Sequence, residues 1–115
     1  MAITIFHNPG CGASRNVLAA LRDGGHAPEV VEYLKAGWTE SQLTDLFAKM
    51  GVTARQMLRT KGELAGELGL TDPAVGEAAI RKAMVAHPVL VERPIVITPK
   101  GVFLCRPADR LAQAL

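Results

Sequence analysis

Apolar positions along this chain come in short runs, and breaker clusters separate them. "AITIFH" at residues 2–7 is short, apolar and β-branched, the pattern of a strand. "NPGCG" at 8–12 is a cluster of turn residues and reads as a loop. Over 14–25, "SRNVLAALRDGG", Val17, Leu18 and Leu21 share one helical face; Ser14 is the expected N-cap and Gly24-Gly25 the stop. "EVVEYL" at 29–34 reads as a second strand. "TESQLTDLFAKMG" at 39–51 reads as a helix, with Thr39 and Gln42 at capping-box spacing and Leu43, Leu46, Phe47 and Met50 on one side.

The middle is helical. "TARQMLR" (53–59) and "ELAGELG" (63–69) predict short helices. "DPAVGEAAIRKAMVAHP" predicts a longer one capped by Asp72, with Pro73 in its first turn and its end before Pro88. "RPIVITP" and "GVFLCR" are apolar strands joined through "PKG" as a hairpin, and "PADRLAQAL" closes the chain as a helix starting at a proline. A helix between the first two strands implies that they run parallel, with a right-handed crossover. The hairpin adds an antiparallel pair. The sum is an α/β fold of thioredoxin-like layout: a four-stranded mixed sheet flanked by helices, with a helical insert between the second strand and the hairpin. No repeat or linker divides the 115 residues, so a single domain over 1–115 is expected.

Composition narrows the function classes. Thirteen basic and eleven acidic residues leave a net charge of +2, too mild to point to nucleic acid. No apolar run approaches the ~18 residues of a membrane span, and the start carries no signal-peptide pattern, so no membrane partner is expected. Two cysteines, Cys11 and Cys105, are too few for a disulfide-stapled secreted domain, which favours a reduced cytoplasmic protein. No Cys/His pairs stand at ligand spacing, so no metal is expected.

The chemistry concentrates at Cys11. A cysteine leaving a strand and entering a helix meets unpaired backbone N–H groups and the positive end of the helix dipole, which together favour the thiolate. Gly10 and Gly12 would permit unusual backbone angles and let an anion approach the amides. Ser14 and Asn16 offer further hydrogen bonds and Arg15 adds charge. His7, if protonated, would stabilise the thiolate electrostatically. Cys105 lies in the alternating strand "VFLCR", where a packed core thiol is the default; His26 and His87 read as surface or helix-end residues. A redox C-x-x-C would need cysteine at 14, where Ser14 stands, and a C-x5-R phosphatase loop would need arginine at 17, where Val17 stands. Cys11 must therefore find its resolving thiol elsewhere.

"HNPGCGASRN" at 7–16 resembles the signature of the glutaredoxin-coupled arsenate reductases, close to HNPxCGTSRN, with Ala13 where threonine is common. "MLR" ending at Arg59, "ERPIV" with Arg93 and "LCRP" with Arg106 resemble that family's other blocks, in order, so the resemblance covers almost the whole chain. It implies that Arg59, Arg93 and Arg106 clamp arsenate, with Gly12, Arg15 and Asn16 contributing to the oxyanion site and Cys11, His7 and Ser14 carrying the catalysis. It further implies a Cys11–arsenic adduct resolved by glutathione as co-substrate and then by glutaredoxin, with no bound cofactor, in a monomer. By analogy with the thioredoxin-like fold, the Arg93-Pro94 bond is expected to be cis and to aim Arg93 at Cys11. Two readings compete: a glutathione-dependent thiol reductase on the same fold, for which an arginine clamp has no use, and an Spx-like regulator that binds RNA polymerase, against which Ser14 argues.

Overall fold

A computed structural model describes residues 2–106 and 110–115. They divide into two compact units: the first takes the start of the chain to Ala36 together with Arg93–Leu115, the second Gly37–Glu92.

The first unit is built on a sheet of four four-residue strands, β1 (Thr4–His7), β2 (Glu29–Glu32), β3 (Ile95–Thr98) and β4 (Gly101–Leu104), in the order β2-β1-β3-β4. β1 and β2 are parallel, β3 is antiparallel to both β1 and β4, and the mixed, thioredoxin-like sheet expected from the pattern is what forms. Between β1 and β2 runs α1 (Gly12–Asp23), which Gly25 helps to end in the left-handed region at φ 83°. Alternation along the strands puts Ile3, Ile5 and Val96 on one face, where Val17, Leu18 and Leu21 of α1 and Leu111 and Ala114 of α7 (Leu111–Ala114) close a core that includes Cys105. The Thr98 hydroxyl ties α7 to the sheet by donating to the Ala114 carbonyl at 2.6 Å. The expected start of that last helix at Pro107 lies outside the described residues.

The second unit holds α3 (Glu40–Met50), α4 (Ala54–Met57), α5 (Leu64–Glu67), α6 (Glu77–Ala86) and a 3-10 turn at Pro88–Leu90; α2 (Tyr33–Ala36) precedes it in the first unit. Leu43, Leu46 and Phe47 are buried on α3 and Ile80 and Met84 on α6, as their spacing requires. Thr39 caps α3 by accepting the Gln42 amide at 3.0 Å. A full reciprocal box forms at Thr53 and Gln56 on α4. The carboxylate of Glu77 accepts the amides of Ala54 and Arg55 at 2.6 and 3.1 Å, fastening α6 to the start of α4.

Three expected boundaries shift. Ser14 does not cap α1: Cys11 is the N-cap residue, and Ser14 is buried inside the first turn with its hydroxyl used elsewhere. The second strand ends at Glu32, because Tyr33 and Leu34 enter α2. Asp72 caps a turn rather than a helix, its side chain accepting the Ala74 amide, and α6 starts only after Gly76. The guanidinium of Arg55 holds that intervening run by donating to the carbonyls of Leu70, Asp72 and Val75. These carbonyls find a side-chain partner, so the chain there needs no helix to satisfy them.

Leu21 is wholly buried and Leu34 is 43% exposed. Leu21→Ala is expected to lower unfolding stability by about 2–5 kcal/mol and Leu34→Ala by under about 0.5 kcal/mol, measured by urea denaturation.

Candidate active site

The site begins with the loop between β1 and α1. Asn8 organises it. Its side-chain carbonyl accepts the Gly10 amide at 2.9 Å, and its backbone carbonyl accepts the Cys11 amide at 3.0 Å. Its own amide donates to the buried Ser14 hydroxyl at 3.0 Å. The chain therefore folds back within three residues and delivers Cys11 to the start of α1, where the Arg15 amide bonds the Cys11 carbonyl at 3.0 Å. Asn8 was not among the candidate residues; the signal for it was the Asn-Pro-Gly run, since an asparagine side chain readily closes a turn over its own backbone.

Ser14 and His7 are joined, Oγ to Nδ1, at 2.7 Å, and both are buried. Burial pushes the His7 pKa down; Glu32 opposes this, and Arg22 and Arg15 add to the fall. Burial thus disfavours the protonated ring, the form in which His7 would stabilise the thiolate. Its Nδ1 is engaged with the Ser14 hydroxyl.

Around the sulfur two effects oppose each other. Burial would raise the Cys11 pKa. The Ser14 amide, the Arg93 guanidinium through hydrogen bond and charge, and the Ala13 amide together outweigh it, and the pKa falls below its ordinary value. The Arg106 Nη1 donates to Cys11 Sγ at 3.7 Å, so a second guanidinium reaches the sulfur beside that of Arg93. Cys105 is the opposite case. It is fully buried and its pKa is pushed up to about 11, as befits a core thiol.

The register of the sheet explains why the two arginines meet one cysteine. Phe6 pairs with Ile95 and Ile95 with Leu104, so the end of β1, the start of β3 and the end of β4 lie at one end of the sheet. Arg93 enters β3 through a cis Arg93-Pro94 bond, as expected, and Arg106 follows β4; the Cys105 amide bonds the Pro94 carbonyl at 3.0 Å and keeps the two segments together.

Other candidates fall less centrally. Arg15 donates to the Pro9 carbonyl at 2.8 Å, bracing the loop from outside. Asn16 is exposed on α1, and nothing among the described residues ties it to the loop. Neither Gly10 nor Gly12 adopts a positive φ, so the loop does not use the backbone freedom expected of them. A Cβ on Gly12 would meet only the Arg15 Nη2, at 3.8 Å. Arg59 belongs to the second unit. Its amide bonds the Leu90 carbonyl at 2.7 Å and its guanidinium lies 3.8 Å from Glu92, both partners in the same unit. Among the described residues no group of His, Cys, Asp and Glu could hold a metal ion, and no helix is long and apolar enough to cross a membrane.

Comparison with known proteins finds relatives along nearly the whole chain. The model of the ArsC family matches residues 6–114. An arsenate reductase of Synechocystis sp. is 53% identical over 107 residues, covering 93% of this chain and 76% of the relative. An arsenate reductase of Escherichia coli K12 is 42% identical over 113 residues, covering 98% and 80%. The solved structure of an arsenate reductase from Vibrio cholerae superposes with a TM-score of 0.94 at 38% identity, over 100% of this chain and 98% of that one.

Because the Cys11 pKa is lowered and that of Cys105 is about 11, the two thiols separate with pH. Iodoacetamide is expected to modify Cys11 at pH 7 and to leave Cys105 untouched until the protein unfolds, read by peptide mass spectrometry. Arg93→Ala removes charge and hydrogen bond together and is expected to shift the Cys11 alkylation profile to higher pH.

Proposed function

The chain belongs to the ArsC family and is an arsenate reductase, and we propose that it works through a Cys11 thiolate whose reducing partners come from solution. The observation that carries this reading is the sulfur's setting: backbone amides of Ala13 and Ser14 and the guanidinium groups of Arg93 and Arg106 converge on one thiol. The same donors suit a tetrahedral oxyanion brought next to it, because guanidinium forks pair well with anionic oxygens. The family's motif order adds Arg59 to the oxyanion set, and the signature loop adds Gly12, Arg15 and Asn16.

In this mechanism the thiolate of Cys11 attacks the arsenic of arsenate, and water or hydroxide leaves. His7 and Ser14 hold the loop that presents the sulfur. Arsenic must gain two electrons to become arsenite, and one sulfur cannot supply them by ending in a disulfide with itself. Glutathione therefore attacks the arsenic of the adduct and displaces water; a glutaredoxin thiolate then attacks the glutathione sulfur, so that a glutaredoxin–glutathione disulfide leaves and the S–As electron pair stays on arsenic, and hydrolysis of the remaining Cys11–As(III) bond releases arsenite and the free thiolate. Cys105, buried in the core, takes no part. No bound cofactor is needed. The two units work together as one reductase domain in a monomer, in a compartment that keeps glutathione reduced, as the cytoplasm does.

The test is arsenate-dependent NADPH oxidation with glutathione, glutathione reductase and glutaredoxin present. Cys11→Ser is expected to abolish turnover and Cys105→Ala to keep most of it; equal loss in both would make Cys105 a resolving thiol. Thioredoxin with its reductase, without glutathione, is expected to support little turnover. Full activity with that pair would put the electrons on a different route.

A further inference from the structure

One uncharged residue of the first unit ties three points of the cysteine loop together. Asn8 is only 7% exposed, and three of its polar groups are bonded to three different residues. Its side-chain Oδ1 accepts the Gly10 amide at 2.9 Å, its backbone carbonyl accepts the Cys11 amide at 3.0 Å, and its backbone amide donates to Ser14 Oγ at 3.0 Å. The two backbone bonds are open to any residue with an N–H at this place. The side-chain bond is not. Pro9 has no N–H, so the Gly10 amide is the first that a turn can use after Asn8, and a short side-chain acceptor is needed to take it. The oxygen lies close over that backbone: a Cβ on Gly10 would stand 3.3 Å from Asn8 Oδ1.

We propose that Asn8 is a positioning residue for the reductase reaction, its side chain fixing the turn that sets the Cys11 sulfur before the first amides of α1. The inference rests on the reading of Cys11 as the attacking sulfur, and it gives the control of that sulfur to a side chain bonded to Gly10. Cys11 stands at the N-cap with φ −101° and ψ 123°, extended where the next residue is helical. The turn closed by Asn8 holds that change of direction. Without Oδ1 the Gly10 amide turns to water, and the turn keeps only the bond of the Cys11 amide. Conformers in which the sulfur faces fewer amides then become populated. A thiolate with fewer donors is less stable relative to its thiol, so the loss of Asn8 raises the pH at which Cys11 ionises. Asparagine does not titrate, so this effect comes from geometry and not from a charge removed. Arg93 and Arg106 reach the site from β3 and β4 and keep their places in the variant.

Two measurements test this, one of them independent of turnover. The first is the iodoacetamide profile of Cys11 against pH in the full chain, read by peptide mass spectrometry without arsenate. Asn8→Ala is expected to move its midpoint up by about half to one pH unit, the net worth of one hydrogen bond expressed as a pKa. Asn8→Ser keeps a weaker acceptor for the Gly10 amide, and its midpoint is expected between those of the parent and the alanine variant; it carries the test by itself if the alanine variant does not fold. Asp72→Ala is the control. It removes the same kind of bond, side chain to the Ala74 amide at 2.9 Å, from a turn of the second unit, and should leave the Cys11 midpoint in place. The second measurement is kcat/KM for arsenate against pH, with glutathione and glutaredoxin. Below both midpoints Asn8→Ala is expected to lose about three- to tenfold, and above both to match the parent, because the thiolate is then complete in each. If the midpoint moves but Cys11→Ser still turns over arsenate, the assignment of Asn8 to the sulfur stands and the reading of Cys11 as attacking group falls. If a folded Asn8→Ala or Asn8→Ser keeps the parent midpoint, or Asp72→Ala moves it as far, or the loss of activity persists above both midpoints, Asn8 only stabilises the fold and the assignment is overturned.

Discussion

A single buried hydroxyl holds the cysteine loop in shape. Ser14 Oγ has no access to solvent, takes the Asn8 amide and pairs with His7 Nδ1, so both its neighbours come from the other side of the loop. A hydroxyl buried without partners costs about 1–3 kcal/mol, which means the end of β1 and the first turn of α1 are stable only when they are brought together. Everything at Cys11 follows from that closure. The residue becomes the N-cap, the Ala13 and Ser14 amides face its sulfur, and the helix dipole adds to their effect.

The cations reach the sulfur by a different route. They come from strand ends set by pairing register, not from the loop itself. An antiparallel hairpin next to β1 necessarily returns its entry and exit to the same end of the sheet, so residues just outside β3 and β4 flank whatever leaves β1. Arg93 and Arg106 occupy those two places. Reactive groups thus sit on short connecting segments while the rigid sheet beneath sets where they meet.

The sheet was legible in the sequence because each strand is short, apolar and bounded by breakers, and a helix between β1 and β2 leaves them only a parallel pairing. The contrast between the thiols was legible too, since Gly, Ser and Asn surround Cys11 and apolar residues surround Cys105. What the pattern missed are places where a side chain bonds backbone at a distance. Ser14 has the form of a helix cap, yet its hydroxyl reaches back to Asn8 and His7, a choice that only the closed loop reveals. Asp72 also has the form of a helix cap, but the Arg55 guanidinium gathers the following carbonyls and delays the helix to Glu77. Whether His7 carries charge depends on burial, which lowers its pKa and which a single sequence does not display.

The burial of Cys105 also decides how the protein meets an oxidant. Peroxide acts on thiolates it can touch, and only Cys11 of the two cysteines offers one. A sulfenic acid formed there is normally rescued by a neighbouring thiol that condenses with it. Cys105 is locked in the apolar core with a pKa near 11 and cannot play that part without the strand coming apart. Recovery after oxidative stress therefore depends on free thiol from the surroundings, and when that pool is exhausted the half-buried Cys11 sulfur passes on to the sulfinic form, which thiols do not reverse.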